Sequence, residues 1–373
     1  MKETLYAIAL TRVNLFSLAG MLELYRRLGS ATAIMEHHLD VREVMPDASD
    51  RLVEALAHVD EPLHCAEIEL EFCERNGIRP LTMADNDYPL RLRECDDAPL
   101  VVYYKGSATL NAQHVVCIVG TRRSTVYGED LIRRFTAELR ALCPQTLIVS
   151  GLAYGIDICA HRHALQNAMP TVAVLAHGLD DLYPSRHRQT ADEMVKNGGL
   201  LTEFPSGTRA DKVNFVRRNR IVAGMSDACI LVESAAKGGG LITCRIARDY
   251  NRDVFAFPGA VGAPYSEGCN QLIRDNGAAL ITSATDFVES MGWQNAARLQ
   301  RTRQQGIERQ MFPDLTDEEQ QVVGALQRAN DLQINMLSVQ TGIPIGRLTA
   351  LLFSLEMKGV LKSLAGGVYH LMA

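Results

Sequence analysis

The sequence predicts an α/β protein with a doubly wound, mostly parallel sheet, preceded by a helical domain and followed by a small domain of three helices and a hairpin. Short apolar runs alternate with helical segments from Val115 to about Ser283, as in a parallel sheet that helices cover on both faces. Before residue 75 the apolar residues recur at helical spacing, and near the end a Gly-Gly turn separates two strand-like runs. At 373 residues the chain has room for two or three domains.

The first predicted domain covers residues 1–75 and is helical. Its first apolar series ends at Gly29-Ser30, a pair that favours the end of a helix. Asp47, Ser49 and Asp50 then predict a turn before the next helix. The apolar residues that recur every three or four positions are Leu15, Leu18, Leu22, Tyr25 and Leu28.

The second predicted domain covers residues 78–292. It opens on loops around Pro80 and Pro89 and on a short strand at Leu100–Gly106. Further buried strands are predicted at Val115–Val119, Thr146–Ser150, Thr171–Ala176, Leu200–Phe204, Ala228–Glu233, Asp253–Phe257 and Ala279–Thr282. Helices are predicted between them at Glu129–Leu142, Ile156–Asn167, His187–Asn197, Asn214–Gly224 and Leu241–Asn251. Sheets of this kind bind ligands beyond the carboxyl ends of their strands.

Residues 293–313 are predicted to be a linker, and residues 314–373 the last domain. The linker holds four arginines and one glutamate, which are either simply solvated or a flexible phosphate contact. In the last domain three helices and a hairpin together predict a winged helix-turn-helix. The predicted elements are Asp317–Arg328, Ile334–Thr341, Ile345–Lys358, Val360–Ser363 and Val368–Leu371.

The composition predicts a reduced, cytoplasmic protein without a membrane segment, metal centre or cofactor. No apolar run approaches the roughly 20 residues that span a bilayer, and the N-terminus does not follow the plan of a signal peptide. The nine cysteines include no Cys-x-x-Cys pair. A formal net charge of −6 does not favour nucleic-acid binding by the protein as a whole, so any such binding has to come from a local basic patch.

The strongest local signal is the arginine cluster Arg217-Arg218-Asn219-Arg220 at the start of an apolar helical run. Guanidinium groups this close repel one another and need partners if they are buried. Arginine suits phosphate because its planar fork donates two parallel hydrogen bonds. The cluster therefore indicates either an anion site or a helix with a charged, solvated face.

The turn after the first long strand also contains residues suited to binding phosphate. It contains Thr121, Arg122 and Ser124 and opens a helix, whose first N–H groups attract anions. It is neither a dinucleotide-binding Gly-x-Gly-x-x-Gly nor a P-loop. The alternative is a tight turn with a solvated arginine.

The turn after the second strand carries Ser150, Gly151, Tyr154 and Gly155. Its glycines allow the backbone to approach a ligand closely. Asp157 and His161 follow on one helix face and are predicted to form a structural pair. Catalysis and metal ligation by these residues are the alternatives, although the spacing lacks a nucleophile elbow.

The turn after the fifth strand carries Lys237, Gly239, Gly240 and Thr243, and its three successive glycines can form an anion-binding nest. Because the carboxyl ends of parallel strands meet at one edge of a sheet, these turns and the arginine cluster are expected to converge.

These blocks, in this order, closely resemble the DprA (Smf) family of bacterial DNA-processing proteins. The resemblance spans about residues 80–290, and the last domain is similar to the winged helix of some family members. The N-terminal domain resembles their sterile-alpha-motif-type domain. The matching residues include Val119–Arg122, Ser150–Asp157, Gly178–Asp180, Tyr183-Pro184, Glu203, Pro205, Gly207, Phe215, Arg218–Gly224, Val254–Gly259, Ser266, Gly268 and Asn270.

The resemblance implies a Rossmann-like core and a cytoplasmic, non-enzymatic protein that binds single-stranded DNA. It also implies a homodimer that delivers RecA to the bound strand in natural transformation and recombination. The basic pocket of the family maps here to Arg122, Arg218 and Arg220. Tyr154 stands where many relatives have a basic residue, and an aromatic side chain there predicts stacking on a base.

Two other functions remain as alternatives. The first is a nucleotide-binding phosphoribohydrolase-like enzyme of a related fold, whose Gly-Gly-x-Gly-Thr turn is followed by a catalytic glutamate. Here Thr243 is followed by Cys244-Arg245-Ile246, which supplies no such acid. The second is a sequence-specific transcription factor. Its predicted recognition helix carries only Arg347 near its start, which is little positive charge for a duplex reader.

Overall fold

The computed structural model describes residues 2–13, 18–293, 315–364 and 366–371. Leu15 and all of the predicted linker except Trp293 lie outside the described residues. The predicted domain limits remain predictions, and the elements below are given as the structure has them.

The N-terminal part is helical, as predicted, and its helices begin where the capping residues stand. Ser30 and Ser49 accept hydrogen bonds from the backbone N–H groups of Ala33 and Leu52, so each is an N-cap. The last helix ends at Gly77, which adopts φ +62°. The helices are α1 Lys2–Arg12, α2 Leu18–Leu28, α3 Ala31–Glu36, α4 Val41–Val44, α5 Asp50–Ala57 and α6 Asp60–Asn76.

The central domain is built on a nine-stranded sheet in the order β1-β2-β6-β5-β4-β3-β7-β8-β9. From β6 to β9 neighbouring strands are parallel, whereas β2 runs antiparallel to both β1 and β6. From β3, the next strands β4, β5 and β6 are added on one side of β3, and β7, β8 and β9 are then added on its other side. The strand order therefore reverses beside β3. The strands are β1 Arg79–Thr82, β2 Val101–Gly106, β3 Val115–Val119, β4 Leu147–Ser150, β5 Thr171–Val174, β6 Gly198–Thr202, β7 Ala228–Leu231, β8 Asp253–Ala256 and β9 Ala279–Leu280.

Two strands differ most from the sequence-based expectation. β1 forms where loops were predicted, because an edge strand tolerates Pro80. β6 begins two residues before the predicted Leu200, at Gly198-Gly199. The ring of Tyr104 lies so close that a Cβ at position 199 would stand 2.3 Å from it. These glycines therefore serve a close approach within the sheet.

Helices cover both faces of this sheet, which confirms the predicted doubly wound, Rossmann-like architecture. The five helices whose bounds were predicted start within about three residues of the expected positions, and three of them start earlier than expected. The helices are α7 Leu90–Arg93, α8 Val126–Leu142, α9 Ile156–Gln166, α10 Arg188–Lys196, α11 Lys212–Gly224, α12 Gly239–Asp249, α13 Glu267–Arg274 and α14 Ala284–Ser290, with a 3₁₀ turn at Ser185–His187.

The C-terminal part is a winged helix, as predicted, with a two-residue strand that the sequence did not reveal. It packs at the amino-terminal edge of the central sheet, where Gly366 lies against the backbone of Met291 and His114 stacks on Trp293 beside a cavity of about 330 Å³. The elements are α15 Asp317–Arg328, β10 Leu332–Gln333, α16 Ile334–Thr341, α17 Ile345–Met357, β11 Leu361–Leu364 and β12 Val368–Leu371.

No single helix among the described residues is long and apolar enough to cross a membrane. By length and composition alone, α16 and α17 pass that test as a pair bent by 106°. All nine cysteines are free thiols.

Candidate nucleic-acid interface

A cavity of about 280 Å³ opens at the carboxyl-terminal edge of the sheet, beside the strand where the chain order reverses. The turns after β3, β4 and β7 form three of its walls, and α11 closes the fourth. The predicted turns therefore do converge. The sequence-predicted residues that line this pocket are Arg122, Gly151, Arg218, Asn219, Gly239, Gly240 and Thr243.

Arg218 lies in the pocket and is only 4% exposed. Its Nη1 donates to the carbonyl oxygen of Gly151 at 2.7 Å and also to the carbonyl of Val174. A Cβ at position 151 would stand 2.4 Å from the guanidinium, so only glycine admits the arginine here. Burial lowers the pKa of Arg218 to about 10. The group therefore keeps its charge at neutral pH while its hydrogen bonds reach uncharged oxygens, namely the two backbone carbonyls and the side-chain amide oxygen of Asn219.

Asp157 provides the nearest opposite charge. Its Oδ2 accepts a hydrogen bond from the backbone N–H of Gly151 at 3.2 Å. Burial raises the pKa of Asp157, and the nearby Arg218 opposes that effect. Asp157 thus helps to hold the Gly151 turn and offsets part of the buried positive charge.

The predicted structural pair of Asp157 and His161 is wrong. His161 is fully buried, and its Nδ1 is 2.7 Å from the hydroxyl of Thr171 on β5. Burial, with Arg218 and His187 nearby, lowers the pKa of His161 to about 3. The two side chains share a helix but bond in different directions, since Asp157 turns back to the preceding loop and His161 turns to the sheet.

Arg122 is the exposed cation of the pocket. Its guanidinium lies over the ring of Phe215, 4.9 Å from the ring centroid. Tyr183 packs beside the same ring at 5.7 Å between centroids. Cationic and aromatic groups are thus adjacent at the mouth of the pocket, an arrangement that suits phosphate and base together.

The helix N-terminus expected to bind an anion is already occupied. Glu233, directly beyond β7, accepts hydrogen bonds from the N–H and the hydroxyl of Thr125, the N-cap of α8. Ser124 donates to Glu129 instead of facing the pocket. Sequence reasoning missed this role of Glu233. The available signal was an acid at the end of a strand beside a helix start.

The N-terminus of α12 opens onto the pocket without a side-chain cap. Its N-cap, Gly238, makes no side-chain capping bond, and Gly238 to Gly240 line the pocket. A Cβ on Gly240 would meet Leu231 at 2.7 Å and the backbone of Gly120 at 3.2 Å. The glycines therefore allow two turns to pack closely and leave the first N–H groups of α12 without a side-chain cap.

The three clustered arginines separate, because successive helix positions point in different directions. Arg217 is half exposed, lies over Phe204 and pairs with Glu203 at 3.1 Å. Arg220 is 7% exposed and bonds to Glu203 and to the carbonyl of Asp97. The expectation of a direct phosphate contact therefore does not fit Arg220, whose partners lie outside the pocket. Burial raises the pKa of Glu203, and both arginines oppose that shift.

The remaining predicted site residues have structural or peripheral positions. Ser150 is buried and donates to the carbonyl of Ile118 at 2.6 Å. Gly155 adopts φ +75° under the carbonyl of Thr121, where a side chain would clash. Tyr154 is 41% exposed and packs edge-on against His187. Lys237 is exposed beside the pocket without lining it. Among the described residues no cluster of three or more His, Cys, Asp or Glu residues suits a metal ion.

Comparison with known proteins gives two family matches. Residues 79–292 match the DNA recombination-mediator protein A family, and residues 310–367 match the DprA winged helix domain. The putative DNA processing protein DprA of Mycobacterium tuberculosis is 35% identical over 305 residues, which cover 78% of this chain and 77% of the relative.

Two solved structures are also similar to this chain. The X-ray structure of DNA processing protein A from Streptococcus pneumoniae has a TM-score of 0.64 at 30% identity and covers 75% of this chain and 95% of that one. The protein from Helicobacter pylori, described with a unique single-stranded DNA binding mode, has a TM-score of 0.51 at 28% identity. It covers 57% of this chain and 94% of its own.

Proposed function

Because this chain belongs to the DNA recombination-mediator protein A family, we propose that it binds single-stranded DNA in the pocket between the turns after β3, β4 and β7. One observation carries the proposal: Arg218 is buried and charged, yet its hydrogen bonds reach uncharged backbone and side-chain amide oxygens. A guanidinium held in this way can still attract an anion, and phosphate is the anion that DNA supplies.

The pocket supports a backbone contact at its centre and base contacts at its mouth. Arg122, Arg218 and the start of α12 provide positive charge within one cavity. Phe215 and Tyr183 provide aromatic faces beside Arg122. Stacking on such faces tolerates any sequence, because every base has a π-face. The expected ligand is an unpaired strand, whose bases are free to stack.

We further propose that the protein is not an enzyme and that it works in the cytoplasm as a homodimer that loads RecA onto single strands. Asp157, the acid nearest Arg218, is already bonded to the backbone of Gly151. The related phosphoribohydrolases carry a catalytic glutamate after the threonine of this turn, whereas here Thr243 is followed by the fully buried Cys244. β9 is an edge strand with Leu280 51% exposed, which offers a surface for a second copy. Two pockets in one dimer hold a strand more firmly than one, because the second contact is effectively intramolecular.

The binding test compares a labelled oligothymidylate, its duplex and a nucleoside monophosphate at several salt concentrations by fluorescence anisotropy. Two to four neutralised phosphates predict a log–log salt slope between about −1.5 and −3 for the single strand. Duplex binding as tight as single-strand binding would contradict the proposal. Release of free base from the monophosphate would favour the phosphoribohydrolase instead.

The assembly test uses light scattering at micromolar protein and RecA filament formation on strands already coated by a competing binding protein. A dimer and faster filament formation are expected. A monomer, together with unchanged RecA ATPase activity on coated DNA, would contradict the mediator role.

A further inference from the structure

A buried carboxylate connects the N-terminal helical domain to the segment that leads into α11. Glu69 lies on α6, is only 2% exposed and reaches Ser206, in the loop between β6 and α11. Its two carboxylate oxygens accept the backbone N–H of Ser206 at 2.9 and 3.1 Å. The hydroxyl of Ser206 donates to Oε2 at 2.7 Å, and Arg12 of α1 donates to the same oxygen at 3.2 Å.

The loop held by Glu69, residues 203–211, leads directly into the pocket helix. Gly207 turns the chain with φ +78°, and the carbonyl of Thr208 accepts from the N–H of Gly178 on the other side. Asp211 then caps α11 by accepting from the N–H of Asn214. Phe215, over which Arg122 lies, follows in the first turns of the same helix. The position of this ring therefore depends on a loop fixed from two sides.

The two halves of α11 are held by different means. Arg218 and Arg220 anchor the later half to the sheet and to Glu203. The start of α11 is held by its cap, Asp211, and by the loop before it, which Glu69 bonds to the N-terminal domain at Ser206.

We propose that Glu69 is a positioning residue for DNA binding. By bonding to Ser206, it lets the N-terminal domain order the loop before α11 and thereby set Phe215 and Arg122 at the mouth of the pocket. This inference rests on the proposed function. Its physical basis is that ordering a loop before binding removes part of the entropy that binding otherwise costs. A buried carboxylate also holds an N–H more firmly than a neutral acceptor does.

The test substitutes Glu69→Gln in the full chain, with Glu67→Gln as the matched control. Both residues lie on α6 and both changes remove one negative charge, but Glu67 is exposed and pairs only with His64 at 3.8 Å. The amide of glutamine has one acceptor oxygen, so at least one of the bonds to Ser206 is lost. We expect an affinity for labelled oligothymidylate about tenfold weaker for Glu69→Gln, whereas Glu67→Gln stays within about twofold of wild type.

Hydrogen exchange provides the second readout. Amides of residues 204–212 should exchange faster in Glu69→Gln, with no change in Glu67→Gln or in the strands of the sheet. If Glu69→Gln does not fold, Ser206→Ala, which removes only the hydroxyl bond, replaces it, with a smaller loss of affinity in the same direction. A folded Glu69→Gln or Ser206→Ala protein with wild-type affinity would overturn the proposal.

The design separates this inference from the proposed function. If wild type and Glu67→Gln both fail to bind the oligonucleotide, the proposed function fails. If they bind and Glu69→Gln binds equally well, only the positioning role fails. A double-mutant cycle adds a check: the affinity losses of Glu69→Gln and Ser206→Ala should be less than additive, because both remove the same contact.

Discussion

Positively charged side chains have different partners in the pocket of the central domain and on the surface of the winged helix. In the pocket, Arg218 is buried against carbonyl oxygens and Arg122 lies over an aromatic ring. In the winged helix, the cations of α17 and its end are paired with acids: Arg347 with Glu318 at 2.8 Å and Lys358 with Glu319 at 2.7 Å.

The exposed face of α17 reinforces this contrast. Phe353 and Met357 are 66% and 74% exposed on the helix that reads DNA in many winged-helix proteins. A helix that presents apolar side chains and paired cations is poorly suited to a phosphate backbone. The charge that an arginine can offer to a ligand therefore depends on its hydrogen-bond partner. An arginine bonded to a carbonyl dipole keeps a net positive charge that can attract a ligand, whereas a carboxylate partner neutralises that charge.

The largest expected effect tests the pocket directly. Arg122→Ala combined with Arg218→Lys should weaken single-strand binding by about thirtyfold or more, about 2 kcal/mol, because one cation is lost and the fork of the other is replaced by a point charge. Anisotropy with labelled oligothymidylate measures it. Arg140→Ala is the control, since Arg140 is exposed near the end of α8, where it bonds to Pro144. Equal losses in both proteins would show that only net charge matters.

The dependence of stability on acid pH tests the burial of His161 near Arg218. The pKa of His161 is lowered to about 3, so the unfolded chain takes up a proton that the folded chain refuses between about pH 6.5 and 3. Stability should fall with pH across that window by about 1 kcal/mol per unit. Denaturant titrations from pH 7 to 5 should show a weaker dependence in His161→Gln. An unchanged slope in His161→Gln would contradict the assignment.

The winged helix should lose stability in a more acidic window. Lys358 and the N-cap Thr316 bond to Glu319 and lower its pKa to about 2. This stabilisation is complete above the ordinary glutamate pKa of about 4.5 and is lost as pH falls toward 2. Calorimetry between pH 5 and 3 should show the transition of this domain moving to lower temperature, with a flatter dependence in Glu319→Gln. An equally steep dependence in that variant would point to another group.

The smallest effect is expected when the winged helix is removed. A chain ending at Phe312 should bind single strands within about tenfold of wild type, about 1.4 kcal/mol. Because the winged helix packs against Met291, circular dichroism must first show that the shortened chain is folded. The full-length Arg347→Ala, Lys362→Ala double variant provides a check without truncation. A larger loss in both proteins would reverse the contrast between the two regions.

Much of this organisation is predictable from local sequence. Alternation of apolar runs and helical segments predicts the sheet, and the three helices with a Gly-Gly turn predict the winged helix. Two of the exceptions, β1 and the start of β6, involve long-range packing: Pro80 is acceptable on an edge strand, and Gly198 and Gly199 lie so close to Thr171 and Tyr104 that side chains would clash there.

The candidate site divides in the same way. Convergence of the turns follows from parallel strands, whose carboxyl ends meet at one edge, and so the sequence predicts it. The partner of each side chain depends on residues far away in the chain. Glu233 fills the start of α8 across about a hundred residues, and Glu203 removes Arg220 from the pocket.

The order of the elements, the edge of the sheet where the polar turns converge and the residue types gathered there follow from the sequence alone, because periodicity and turn chemistry are local properties. The hydrogen-bond partners of each arginine, the capping of each helix start and the link between the N-terminal domain and the loop before α11 depend on the tertiary structure. Those outcomes depend on burial and on competition between nearby acceptors for the same donors, and both arise only when distant segments pack together.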